Sequence, residues 1–164
     1  MGFPVWKTVV LGLVKSQKNY RMALRKAGYE ISGWGEKVLK RTTVSPVELE
    51  LDLVAVTVEE LGLEIGAHRD VACAKALELG LQLCPAEVGP ALRLLYRDQP
   101  RGELLRIGMR AVAYSAGRKL TFGLNHSDFR GQELNGFGGQ ALDGYIVAAR
   151  VVSRICWVFV RPRK

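Results

Sequence analysis

Two histidines and three cysteines are all that this 164-residue sequence offers of the side chains that most often ligate transition metals or serve as nucleophile and base. The cysteines, Cys73, Cys84 and Cys156, are odd in number and show no paired spacing. That excludes a disulfide framework and fits a reducing compartment, where a thiol is usually a small buried hydrophobe. So few ligands, so scattered, do not make a zinc site. Aromatic residues amount to 8%, so stacking surfaces have few candidates. Long apolar runs are missing as well. The stretch from Thr8 to Val14 is too short to span a bilayer and lacks the small-residue cleavage site of a secretory signal. Met1-Gly2 opens like a myristoylation site, but Trp6 stands where Ser or Thr is required. These absences predict a cytoplasmic protein with no membrane partner.

What is present is enough apolar material for a core. Hydrophobic residues make up 48%, and the length fits one globular domain over 1–164. The net charge of +8 is unevenly spread. Residues 1–45 hold nine Lys/Arg against two Asp/Glu, residues 46–104 five against eleven, and residues 105–164 ten against three. Basic ends of this kind can meet an acidic partner, or can simply face solvent or the acidic middle.

Local signals predict an α+β fold. Trp6 to Val14 reads as a first strand. Ser16 caps a helix running to Ala27, with Gly28 as its left-handed stop, and Ser32 caps a second, shorter helix. From Val47 to Leu53 apolar residues alternate with acids, which puts Val47, Leu49, Leu51 and Leu53 inside and Glu48, Glu50 and Asp52 outside. Asp70 to Leu79 has helical character, with Val71, Ala74 and Leu77 or Glu78 at turn spacing and Gly80 as a stop. Pro85 to Pro90 reads as a turn or a single helical turn. Leu92 to Tyr96, Leu105 to Ala111 and Leu120 to Leu124 alternate and are joined by turn signals, which predicts an antiparallel meander. Asn125 to Gly144 is glycine-rich and polar, so it is expected to be irregular and exposed. Ile155 to Val160 is expected to be the last strand.

Catalytic motifs fail on inspection. His68-Arg69-Asp70 copies three letters of a kinase loop without the Asn or the phosphate loop that must accompany it. Gly136-Phe137-Gly138-Gly139-Gln140-Ala141 matches a dinucleotide fingerprint, yet no buried strand is expected before it and no acid follows at the right distance. His126-Ser127-Asp128 gathers a base, a hydroxyl and a carboxylate, but triads are built from separate elements rather than sequence neighbours. A small hydrolase around His126 is therefore only the third reading. The three acids of 48–52 could meet a cation, and nothing else supports a metal. The sequence predicts no cofactor, no metal and no enzyme.

Two resemblances add context. The stretch from Val54 to Met109, with EVGPALRLLYRDQPRGELLRIGM at its centre, and the ending WVFVRPRK resemble a family of small proteins from ultrasmall candidate-phyla bacteria, which implies no particular activity. The segment DGYIVAARVVSRICWVFVRP resembles the end of C-type-lectin-fold proteins diversified by retroelements. That resemblance implies a closing strand at Phe159-Val160-Arg161, preceded by a variable stretch holding Tyr145, Arg150, Ser153 and Arg154. Ile146-Val147-Ala148-Ala149 departs from the Asn, Asp and Trp of the candidate-phyla pattern, as a diversified segment would. The calcium motifs of sugar-binding lectins are absent, so no sugar held through calcium is implied.

The resulting expectation is a non-enzymatic binding protein with helices toward its N-terminal half, then an antiparallel sheet in a C-type-lectin-like arrangement. Its binding face would lie on the glycine-rich loop and strand of 125–156, through His126, Asp128, Arg130, Asn135, Tyr145, Arg150, Ser153 and Arg154. The partner would be a protein or other macromolecule. The alternative is nucleic-acid binding by the basic first helices, with Tyr20, Tyr29 and Trp34 as stacking rings.

Overall fold

The hydroxyl of Ser16 accepts a hydrogen bond from the Asn19 backbone N–H at 3.0 Å and so starts helix α1 (Gln17–Lys26). Gly28, at φ +86°, releases the chain after it. Ser32 does the same for α2 (Gly33–Leu39), accepting from Gly35 N–H at 3.0 Å. These two caps and the glycine stop lie where the sequence predicts them. The computed structural model describes residues 2–115, 117–138 and 155–164. Within them lie the strands β1 (Lys7–Leu11), β2 (Glu30–Ile31), β3 (Leu49–Val56), β4 (Leu104–Ile107), β5 (Val112–Ser115), β6 (Arg118–Ser127), β7 (Gly131–Phe137) and β8 (Ile155–Arg161), and the helices α3 (Arg69–Glu78) and α4 (Val88–Leu95).

The sheet runs β1-β3-β8-β4-β6-β7-β2, with β5 paired to β6 beside this path. The last strand in sequence is thus central. Its side chains alternate between two cores. Val158 and Val160 join Tyr20, Leu24, Leu92 and Phe122 beneath α1, α2 and α4. Trp157 and Phe159 join Val54, Val56, Ala72 and Ala76 beneath α3. Helices therefore cover both faces, and the fold is α+β. The sheet is mixed rather than wholly antiparallel, because β4 runs parallel to β8 and β2 to β7.

Several expectations change in three dimensions. Leu92 to Tyr96 is not a strand. It belongs to α4, whose Val88, Ala91 and Leu92 are buried at helical spacing. Pro90 lies in the first turn of that helix, where its missing N–H would have no intrahelical partner. The meander reduces to β4 against β6, with Leu105 opposite Leu124. In α3 the buried residues are Arg69, Ala72 and Ala76, while Val71 and Leu77 are about half exposed at 50% and 51%. Small residues let this helix approach the large rings of Trp157 and Phe159. Of the alternating residues Val47, Leu49, Leu51 and Leu53, only Leu53 is fully buried; Leu51 is half-buried, and Leu49 and Val47 are exposed. Alternation gives the face a side chain takes, not how far the opposing layer extends over it.

The largest change concerns 125–137. These residues are not an irregular loop but the end of β6, a turn, and β7. Glu133, Leu134, Gly136 and Phe137 are buried. The glycines here mark close packing. A Cβ on Gly123 would lie 2.0 Å from the Phe137 ring, and one on Gly136 2.7 Å from the Trp34 backbone.

Two buried charges tie distant segments together. Glu87 accepts hydrogen bonds from Gly12 N–H, the Tyr20 hydroxyl and Ser45 N–H at 2.7–2.8 Å. Arg93 donates to the Gln99 side chain and to the carbonyls of Tyr96 and Glu133, beneath the Tyr29 ring at 5.0 Å. Burial lowers its pKa to about 10, which still leaves it cationic at neutral pH.

Candidate functional site

Of the predicted site residues that are described, His126, Asp128 and Arg130 lie at the β6–β7 turn and Asn135 lies apart from them. His126 ends β6 half-buried, and its Nδ1 lies 2.6 Å from the Gln99 carbonyl oxygen, so that nitrogen carries the proton and donates. Ser127 Oγ accepts from Arg130 N–H at 3.1 Å, and exposed Asp128 sits 3.5 Å from Arg101. Base, hydroxyl and carboxylate each have a separate partner, so no triad forms. Arg130 is exposed, with its Nε 3.8 Å from buried Glu133. Asn135 lies toward the other end of β7, about 13 Å from the turn at the rise of an extended strand. It accepts from the Ser32 hydroxyl and from Gly136 N–H. Tyr145, Arg150, Ser153 and Arg154 lie outside the described residues. Between Asp128 and Arg130, Phe129 is 98% exposed, a feature that no periodicity announces.

Asn135 lines a cleft of about 790 Å³ between α2, the β5–β6 hairpin and the start of α3. The cleft follows from local packing. α2 lies so close to β7 that Gly35 and Gly136 leave no room for a Cβ against the opposing backbone. Trp34, whose backbone meets Gly136, is itself 44% exposed. It meets Tyr114 of β5 edge to face, with centroids 5.2 Å apart. Lys37 Nζ sits 5.6 Å from the Tyr114 ring. Arg118 and Lys119, both exposed, line the hairpin side.

The opposite wall begins α3. The His68 side chain accepts from Asp70 N–H at 3.1 Å and caps the helix. Arg69, its first residue, lines the cleft at 5% exposure. Its Nε is 3.4 Å from Asp70 Oδ1, and its Nη1 is buried with no hydrogen bond. Behind Gly138, which also lines the cleft, Arg106 lies over the Trp157 ring at 4.5 Å and donates to the Gly138 carbonyl at 3.2 Å. Burial pushes the Cys73 thiol up to about 11 despite the opposing pull of Arg69 and Arg106, so at neutral pH it is protonated and a poor nucleophile.

The chain matches no protein-family model, no curated protein and no solved structure. The site must therefore be read from its own chemistry. Among the described residues no three His, Cys, Asp or Glu side chains group as metal ligands, and no helix is long and apolar enough to cross a membrane. Gly136 and Phe137 finish β7, where a dinucleotide fingerprint needs a turn into a helix. Of the three rings proposed for stacking, Tyr20 and Tyr29 are buried at 1% and 8%, which leaves Trp34. Arg69 stood in the sequence only as part of a rejected kinase motif, and Tyr114 carried no signal at all.

Proposed function

We propose that this is a non-enzymatic binding protein and that the cleft beside Trp34 is its binding site. One observation carries the reading: a half-exposed indole held against Tyr114 on a cleft that Arg69, Arg118 and Lys119 also line. Such an arrangement suits a ligand that joins a planar ring to a negative charge. Asn135 brings one of the sequence-predicted residues into the site and adds an amide for specificity. Burial of Cys84, whose thiol donates to the Val158 carbonyl at 3.4 Å, fits a reducing compartment such as the cytoplasm.

The test is a thermal-shift and calorimetric panel of ring-bearing anions and single-stranded oligonucleotides, run on the wild type and on Trp34→Ala. A ligand that raises the wild-type Tm and loses that effect in Trp34→Ala is the expected result. Equal shifts in both proteins would place binding elsewhere.

A second reading is nucleic-acid binding by the same face, favoured by the exposed Arg118 and Lys119 beside Trp34. Its signature is affinity that falls steeply with salt. A retroelement-diversified segment within 125–156 is compatible with either. A near-repeat of its coding sequence that differs at adenines, beside a reverse transcriptase, would establish it.

A further inference from the structure

We infer that the Arg69 end of the cleft is a phosphate subsite, so that the ligand is a nucleotide, free or within a strand. This rests on the cleft being the binding site. Three features converge at the start of α3. The first N–H groups of a helix have no intrahelical partner, and here the His68 side chain takes only that of Asp70. The positive end of the helix dipole lies at the same place. Independently, Arg69 is 95% buried by complement of its 5% exposure, lines the cleft, and keeps Nη1 without a hydrogen bond. A buried guanidinium nitrogen left unpaired is costly, and a turn of the Arg69 side chain toward the cleft would let an anion there pair with it and remove that cost.

A phosphate suits this end better than a carboxylate. Its several oxygens can meet a guanidinium and backbone N–H groups together, and its charge complements both. Among the described residues Asp70 is the carboxylate lining the cleft; its Oδ1 accepts from Arg69 Nε at 3.4 Å, and its side chain is 75% exposed, so water screens its repulsion. The ring pair of Trp34 and Tyr114 lines the same cleft and offers the base a face. Arg118 and Lys119 stay exposed, so they steer rather than hold.

The experiment is calorimetric titration with adenosine, adenosine monophosphate, inorganic phosphate and a short single-stranded DNA. It uses the wild type, Arg69→Met, Arg69→Lys and Lys26→Ala. The wild type is expected to bind the monophosphate at least about tenfold more tightly than adenosine, and Arg69→Met to erase that difference. Arg69→Lys, which keeps the charge and loses the fork, should retain only part of it. Lys26→Ala, on α1 and away from the cleft, should change affinity by less than about threefold. The ligand-free Tm of Arg69→Met, unchanged or raised, shows that the variant is folded. A DNA strand binding more tightly than the monophosphate, with the same Arg69 dependence, makes the strand the source of the phosphate. If adenosine and its monophosphate bind alike, or Arg69→Met keeps the difference, the phosphate subsite is wrong while the cleft stands. If none of the four probes binds, the subsite is also overturned, and binding of other ring-bearing anions that depends on Trp34 then decides the cleft separately.

Discussion

The Tyr20 hydroxyl donates to the Glu87 carboxylate at 2.7 Å across 67 positions of sequence. The same carboxylate holds the backbone N–H groups of Gly12 and Ser45, so one buried side chain fastens the chain after β1, the face of α1 and the approach to β3. Glu87→Ala leaves three donors to find other partners and is expected to cost about 3 kcal/mol or more in urea unfolding. Tyr20→Phe removes one bond and should cost about 1–2 kcal/mol. Burial and then the Glu87 hydrogen bond raise the Tyr20 pKa. Its contribution is therefore complete below the ordinary value of 10 and is lost as pH rises above it. Tyr20→Phe should flatten the alkaline limb of the stability profile, and an unchanged limb would contradict the linkage.

On the acid side the relevant pair is Asp52 and Arg163. Hydrogen bonds from Arg163, at 2.7 Å, and from Thr8 hold the Asp52 pKa down at about 2. A depressed carboxylate contributes its stability above its unfolded value, here 3.8, and loses it as pH falls toward 2. Asp52→Asn should make unfolding less sensitive to pH within that window and leave the profile above pH 5 parallel to wild type. Chemical denaturation at stepped pH measures this.

Depth along β3 separates two leucines of the same alternating run. Leu53 is fully buried and Leu49 is 42% exposed. Leu53→Ala is expected to cost about 2–5 kcal/mol and Leu49→Ala less than about 1 kcal/mol. Equal losses would mean that the apolar layer extends over the whole strand.

His126 Nδ1 is held by the Gln99 carbonyl. His126→Ala should cost about 1 kcal/mol through the lost hydrogen bond and leave ligand binding in the Trp34 cleft unaltered. Hydrolysis of ester or phosphodiester substrates by the purified protein, abolished by this change, would overturn the binding reading.

Signals confined to a few neighbouring residues were legible without coordinates. Ser16 and Ser32 cap helices because a short hydroxyl reaches an N–H three positions on, and Gly28 and Gly80 stop helices because the left-handed region is open to them. The apolar run of Ile155 to Val160 reads as a strand wherever it is placed. Position within the sheet is another matter. That β8 lies between β3 and β4 depends on pairings far apart in the chain, and so do the identity of α4, the pairing of the glycine-bearing β7 and the hold of Glu87 on Tyr20. Leu92, Leu94 and Tyr96 satisfy a period of two, while Val88, Ala91 and Leu92 satisfy a helical one, and only packing against Phe122 and its neighbours chooses between them. The cleft belongs wholly to tertiary structure. Trp34, Arg69, Tyr114 and Asn135 come from four separate elements, and no spacing in one chain encodes their meeting. Periodicity determines which way a side chain points from its own backbone. What it points at is decided by long-range pairing, where the burial of apolar area and the satisfaction of buried polar groups must be solved together.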